Sequence, residues 1–131
     1  MSIRIPTEND VKAACKAMIE ARGGLCIRVN SGAFAGEYKG RKRFVRLNSE
    51  EGCADLLCCI RGRWVSVETK RKGGRTDPKR LIKQAGHAAR VTMAGGLALT
   101  VRSAQELEAD LIEAGVWTDR IQAANQRAAY G

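Results

Sequence analysis

The sequence predicts one α/β domain, a central mixed β-sheet flanked by helices, and three observations carry that reading. Stretches with apolar residues at helical spacing alternate with short, nearly continuous apolar runs. Glycine pairs and glycine-containing turns separate them. The 131 residues fit one compact domain of roughly 100–150 residues and leave little for a second.

Residues 7–22 form the first expected helix: Val11, Ala14, Cys15, Met18 and Ile19 recur at helical spacing, Thr7 suits the N-cap, and Gly23-Gly24 stops the helix. Residues 25–30 read as a short strand and 31–42 as an exposed, glycine-interrupted loop. Residues 44–47 alternate apolar and polar as a second extended piece before the turn-rich segment 48–52. The central hairpin follows. Its first strand, 54–60, is nearly all apolar, Arg61-Gly62 makes the turn, and 63–70 returns. A basic loop, 71–76, leads to Asp77-Pro78, an N-cap and first-turn proline for a helix running to about Met93. Gly95-Gly96 ends that helix, 97–101 is a further buried strand, and Ser103-Ala104-Gln105-Glu106 is a capping box opening a third helix. Apart from the extended piece 44–47, the predicted order is helix, three strands, helix, strand, helix, with no internal repeat. Residues 1–115 are expected to make the domain and 116–131 a helical tail, part of a dimer interface.

Hydrophobic residues are 44% of the chain and aromatics only 5%, so Ala, Val, Leu, Ile and Cys must build the core. A formal net charge of +9 favours a polyanionic partner, above all nucleic acid. Lys39, Arg41 and Lys42 in one loop, Arg43 directly after it, and Arg71, Lys72 and Arg75 in a second loop are the expected DNA contacts. Their place in loops, not along one face of an apolar-backed helix, argues against a membrane surface. The five cysteines lack paired CxxC spacing, which argues against a zinc site, and their odd number argues against a disulfide framework. They read as small core hydrophobes. With no apolar signal region at the N-terminus and no long apolar run, the expected location is the cytoplasm.

An acidic residue, Asp55, interrupts the apolar strand 54–60. On the returning strand Glu68 and Lys70 are two residues apart and share a face, and across the hairpin Asp55 falls opposite this pair. Two carboxylates at a strand end suit a hard divalent cation, Mg²⁺ or Mn²⁺, which polarises a phosphoryl oxygen and activates water. Lys70 is placed to position that water or to offset charge developing on phosphate. The competing readings are an exposed ion pair between Glu68 and Lys70 along one strand face and, for Asp55, a cap on the turn that follows Gly52.

This arrangement resembles the PD-(D/E)xK nucleases, in particular small, stand-alone, phage-type members of their VRR-NUC branch. Gly52-Cys53-Ala54-Asp55, the Arg61-Gly62 turn, Val67-Glu68-Thr69-Lys70, the basic glycine loop and a helix bearing Gln84 occur in the family's order. Cys53-Ala54 stands where Val-Pro is more usual. The resemblance implies a restriction-endonuclease-like αβββαβ core, with Asp55, Glu68 and the Thr69 carbonyl binding metal and Lys70 catalytic. It also implies that Gln84 lines the site and that a glutamate early in the first helix, Glu8 rather than Glu20, joins it. Gln84 shares a helix face with Leu81, Ala85, Ala88 and Val91, which supports its part. The implied activity is metal-dependent hydrolysis of phosphodiesters in branched DNA such as Holliday junctions, by a homodimer, and the implied setting is a bacterial or phage-infected cell. Leu107, Leu111, Ile112, Val116, Trp117 and Ile121 are the interface candidates.

His87, the single histidine, is expected at a surface or edge, since no second histidine or nearby cysteine makes a ligand set with it. The alternative functions are a non-catalytic basic nucleic-acid binder, a flap or nicking nuclease acting as a monomer, and a partner-docking protein using the tail.

Overall fold

The computed structural model describes residues 4–29, 33–38, 40–46 and 48–118, with backbone only for 33–38 and 41–46. The elements are α1 (Glu8–Ala21), β1 (Leu25–Arg28), β2 (Ala33–Tyr38), β3 (Arg41–Arg46), β4 (Leu56–Ile60), β5 (Arg63–Thr69), α2 (Pro78–Met93), β6 (Leu97–Val101) and α3 (Ala104–Glu113). A four-stranded sheet runs β1-β4-β5-β6, antiparallel except for the β5/β6 pair, which α2 joins as a crossover. Leaving out β2 and β3, the elements through β6 give the αβββαβ order.

Residues 31–42 are not simply a loop. β2 and β3 pair antiparallel as a separate two-stranded sheet, with Tyr38 opposite Arg41 across a tight connection containing Gly40. β3 thus starts three residues before the predicted strand, whose last residue, Leu47, lies outside the described residues. Cross-strand pairing overrides the poor strand composition of Arg41-Lys42-Arg43.

Alternation divides the sheet into two faces. Cys26, Leu56, Cys58, Ile60, Val65, Val67 and Val101 face α1 and α3, where they meet Val11, Cys15 and Ile19, spaced every fourth residue on α1, and Leu107 and Leu111 on α3. Ser66, Glu68, Ala98 and Thr100 face α2, which among the described elements packs on β5 and β6. Leu25, Ile27 and Cys59, on that same face of β1 and β4, stay exposed. Cys59 therefore departs from the expected core role of the cysteines, whereas Cys15, Cys26, Cys53 and Cys58 are buried.

Three other expectations change. At the end of α3, Gly115 (φ +78°) turns the chain back: its N–H donates to the Ile112 carbonyl and that of Val116 to Leu111. Val116 and Trp117 thereby enter the core with Leu107 and Leu111, with Ile112 half-buried against them, so none of the first four offers a dimer surface. The core runs past the boundary expected at residue 115; Ile121 lies outside the described residues. Arg22 stacks over the Trp117 ring at 4.1 Å and donates to the Thr118 carbonyl, securing the turn. The second change concerns the caps. Thr7 closes a full capping box with Asp10, whereas Asp77 makes no side-chain cap bond, and Glu106 receives the N–H of Arg102 rather than that of Ser103. The third is the α2 face: His87 and Val91 are its buried residues, Gln84 and Ala88 are half-buried, and Leu81 and Ala85 are exposed. Among the described residues no helix is long and apolar enough to cross a membrane.

Candidate active site

The turn at Arg61-Gly62 sets the register of the central hairpin. Ile60 pairs with Arg63 and Leu56 with Val67, so Asp55, one step beyond β4, arrives beside Glu68. The backbone is tied there by Val29, whose N–H donates to the Asp55 carbonyl at 2.9 Å. Both carboxylates are buried, with Asp55 3% and Glu68 6% exposed. The exposed Glu8, in the first turn of α1, completes a cluster in which one oxygen from each of Glu8, Asp55 and Glu68 lies within 4.8 Å of the others. Glu20 is elsewhere, exposed at the far end of α1 and paired with Lys16.

Burial pushes the Asp55 carboxyl up, but hydrogen bonds to Glu68 and from Thr69, with the Lys12 charge, outweigh it and hold Asp55 below the ordinary value of 3.8. Oδ2 of Asp55 accepts both the backbone N–H and the hydroxyl of Thr69, each at 2.9 Å. Its Oδ1 faces the Lys12 ammonium at 3.5 Å. Glu68 goes the other way. Burial, then the hydrogen bond and charge of Asp55, push it up to about 8 against the pull of Lys70 and Arg80. The pair thus shares a proton at neutral pH, with Asp55 ionised. Three carboxylate oxygens converging this closely are a hard, anionic donor set that fits Mg²⁺ or Mn²⁺.

Lys70 is half-buried. Its Nζ donates to the Thr76 hydroxyl at 2.6 Å and to Gln84 Oε1 at 3.1 Å. Glu68, Lys70 and Gln84 line one pocket of about 240 Å³ between β5 and α2. The structure thus brings together Glu8, Asp55, Glu68, Thr69, Lys70 and Gln84. Arg71, Lys72 and Arg75 stand exposed on the loop directly after Lys70. Arg41, Lys42 and Arg43 lie on β3, where the backbone alone is described, and Lys39 lies outside the described residues.

Sequence reading missed three groups. Lys12 and Thr76 reach the site, and the only signal for them was basic or hydroxyl character beside an element that carries a site residue. The third group centres on His87, which is buried rather than at a surface or edge: Nδ1 lies 2.9 Å from Glu50 Oε2 and Nε2 lies 3.1 Å from Ser66 Oγ. Arg90 reinforces this tie by donating to the same Glu50 oxygen and to the Glu51 carbonyl. The loop leading to Asp55 is thereby clamped to the helix that carries Gln84.

A solved structure described as a VRR_NUC domain matches with a TM-score of 0.51 and 28% sequence identity, over 82% of this chain and 95% of that one. The chain is thus similar to a VRR-NUC domain in fold and, more distantly, in sequence. No family profile and no curated protein matches it. The mixed four-stranded sheet with its flanking helices is consistent with the fold of that VRR-NUC domain, and the acidic cluster sits at the ends of the two central strands.

Proposed function

We propose that this chain is a divalent-metal-dependent DNA endonuclease that hydrolyses phosphodiester bonds and prefers branched DNA such as Holliday junctions. The observation that carries the reading is the convergence of Glu8, Asp55 and Glu68 on one point, beside a lysine fixed by Thr76 and Gln84.

Glu8, Asp55 and Glu68, with the Thr69 carbonyl, would hold the Mg²⁺ or Mn²⁺. A bound cation supplies polarisation of the phosphoryl oxygen and a lowered pKa for water. Thr69 fixes the orientation of the Asp55 carboxylate with two hydrogen bonds, so the donor set is organised before substrate arrives. To serve as a ligand Glu68 would have to be ionised, so cation binding would be linked to loss of its proton. Lys70 presents an ammonium to the phosphate and offsets the charge that builds there, and Gln84 keeps that ammonium on the pocket side. Arg71, Lys72 and Arg75, with Lys39, Arg41, Lys42 and Arg43, would bind the sugar-phosphate backbone; such contacts orient DNA without reading its sequence.

Paired incision of a four-way junction calls for two active sites, and a two-fold homodimer supplies them. A second reading is favoured by the burial of Leu107, Leu111, Val116 and Trp117, which withdraws the expected interface: one copy that nicks DNA or cuts flaps. A cleavage panel separates the readings. Linear duplex, single strand, flap and four-way junction are each incubated with Mg²⁺, Mn²⁺ or chelator. Paired cuts in opposing junction strands, dependent on metal, are expected; cutting of flaps alone supports the single copy, and no cutting of any substrate overturns the enzyme reading.

A further inference from the structure

Beside the acidic site and on the same sheet face lies a second concavity, of about 490 Å³, between α2 and the β4/β5 hairpin. Its walls are Leu57, Trp64, Val91 and Gly96, and Arg90 and His87 stand at its polar side. Resting on the nuclease reading above, we propose that this groove receives an unpaired nucleobase of the DNA held at the active site, stacked on Trp64.

Four observations point to that occupant. The Trp64 ring is half exposed, and its indole N–H donates to Ser66 Oγ at 2.9 Å. Ser66 in turn meets His87, which meets Glu50, so the ring is the last member of a fixed polar chain and not a loose surface side chain. A ring held in one orientation is a stacking platform that needs no ordering when a base arrives. Trp64, Ser66 and Glu68 follow one another along one face of β5, so the groove lies about 13 Å from the acidic cluster, four strand steps of ~3.3 Å, within the span of a few nucleotides. His87 lines both this groove and the pocket of Glu68 and Lys70, so the two adjoin. The net charge of +9 suits a polyanion passing over it, and Arg90 offsets the one carboxylate at the rim, Glu50. Branched DNA and flaps offer unpaired bases where an intact duplex does not.

The test is binding, with chelator present so that nothing is cut. Octathymidylate and an abasic octamer with the same phosphates are titrated against the full chain, followed by tryptophan emission and by anisotropy of a labelled oligomer. Octathymidylate is expected to quench the wild type, an effect lost in Trp64→Phe because Trp117 is buried in the core. Trp64→Ala is expected to weaken octathymidylate about 5- to 150-fold, the range for one stacked base. Trp64→Phe should restore most of that loss, and the abasic oligomer should bind wild type and Trp64→Ala alike. Thermal melts of each variant establish that it folds, and the phenylalanine variant carries the test if the alanine variant does not. Equal affinity of the wild type for both oligomers, no binding of octathymidylate, or wild-type affinity in Trp64→Ala overturns the proposal. So does a Trp64→Ala protein whose only change is a fall from two copies to one, which assigns the groove and the adjoining Leu25 and Ile27 to a second copy. Loss of metal-dependent cleavage in the separate substrate panel reports on the nuclease reading and leaves these binding results readable by themselves.

Discussion

Glu68 and Lys70 sit two positions apart on one strand, yet the surroundings give them opposite tasks. Glu68 is buried against Asp55 and carries a proton up to about pH 8, whereas the Lys70 ammonium is held by two neutral oxygens. Because the ordinary glutamate value is 4.5, the native state keeps a proton between that pH and about 8 that the unfolded chain has released. Stability of the metal-free protein should therefore fall as pH rises through this window and level off above it. Glu68→Gln should flatten that part of the profile, measured by melts in chelator at pH 5, 6.5 and 8; identical slopes in the two proteins would contradict the assignment. Asp55 has the opposite sign: held below 3.8, it contributes stability that is lost only as pH falls through its lowered value. Lys70→Ala should lower the cleavage rate at least about 100-fold while changing DNA affinity no more than a few-fold, since one phosphate-side charge among many contributes little to binding. Anisotropy on uncut DNA in chelator separates the two effects, and a variant that cuts at the wild-type rate removes Lys70 from the mechanism.

At the scale of elements, the approach to Asp55 depends on how closely the preceding loop meets α2. Gly52 has φ +72°, and a Cβ there would lie 2.1 Å from the Lys83 carbonyl oxygen. Backbone against backbone leaves nothing flexible to move. Gly52→Ala should cost on the order of 3 kcal/mol, from the left-handed conformation and the clash together, and lower the melting temperature by about 10 °C or more. A calorimetric scan with a shift under about 3 °C would show that the loop is not clamped as described. The site's main axis was legible in the sequence because a two-residue turn fixes the register of a hairpin, and counting back from Arg61-Gly62 puts Asp55 against Glu68. The His87 cluster was not legible. Its partners Glu50 and Ser66 are 37 and 21 positions away, and helical periodicity alone could not choose between Leu81, Gln84 and His87 for the face that meets the sheet. The β2/β3 hairpin was hidden for a related reason: strand pairing is a property of two segments, and each alone reads as polar or glycine-broken.

For the whole molecule, the αβββαβ order and the two-faced sheet followed from the alternation of apolar runs and helical stripes, while the end of the domain did not. The sequence after Gly115 looks like an appendage until the turn at the end of α3 is known to fold Val116 and Trp117 back under Arg22. Trp117→Ala should destabilise the domain by about 3–5 kcal/mol and leave the oligomeric state unchanged, because the ring fills the core of its own chain. Light scattering on the folded variant checks this, and a change in mass would return Trp117 to an interface. If the acidic cluster is a metal site that drives DNA hydrolysis, incision must depend on both the cation and Asp55. The most direct test is the rate of incision of a four-way junction by wild type and Asp55→Asn, started with Mn²⁺ and stopped with chelator. The wild type is expected to cut only when Mn²⁺ is present, with at least about a 100-fold loss in Asp55→Asn; incision that persists in chelator, or that survives the substitution at the wild-type rate, would contradict a metal-driven reaction at this cluster.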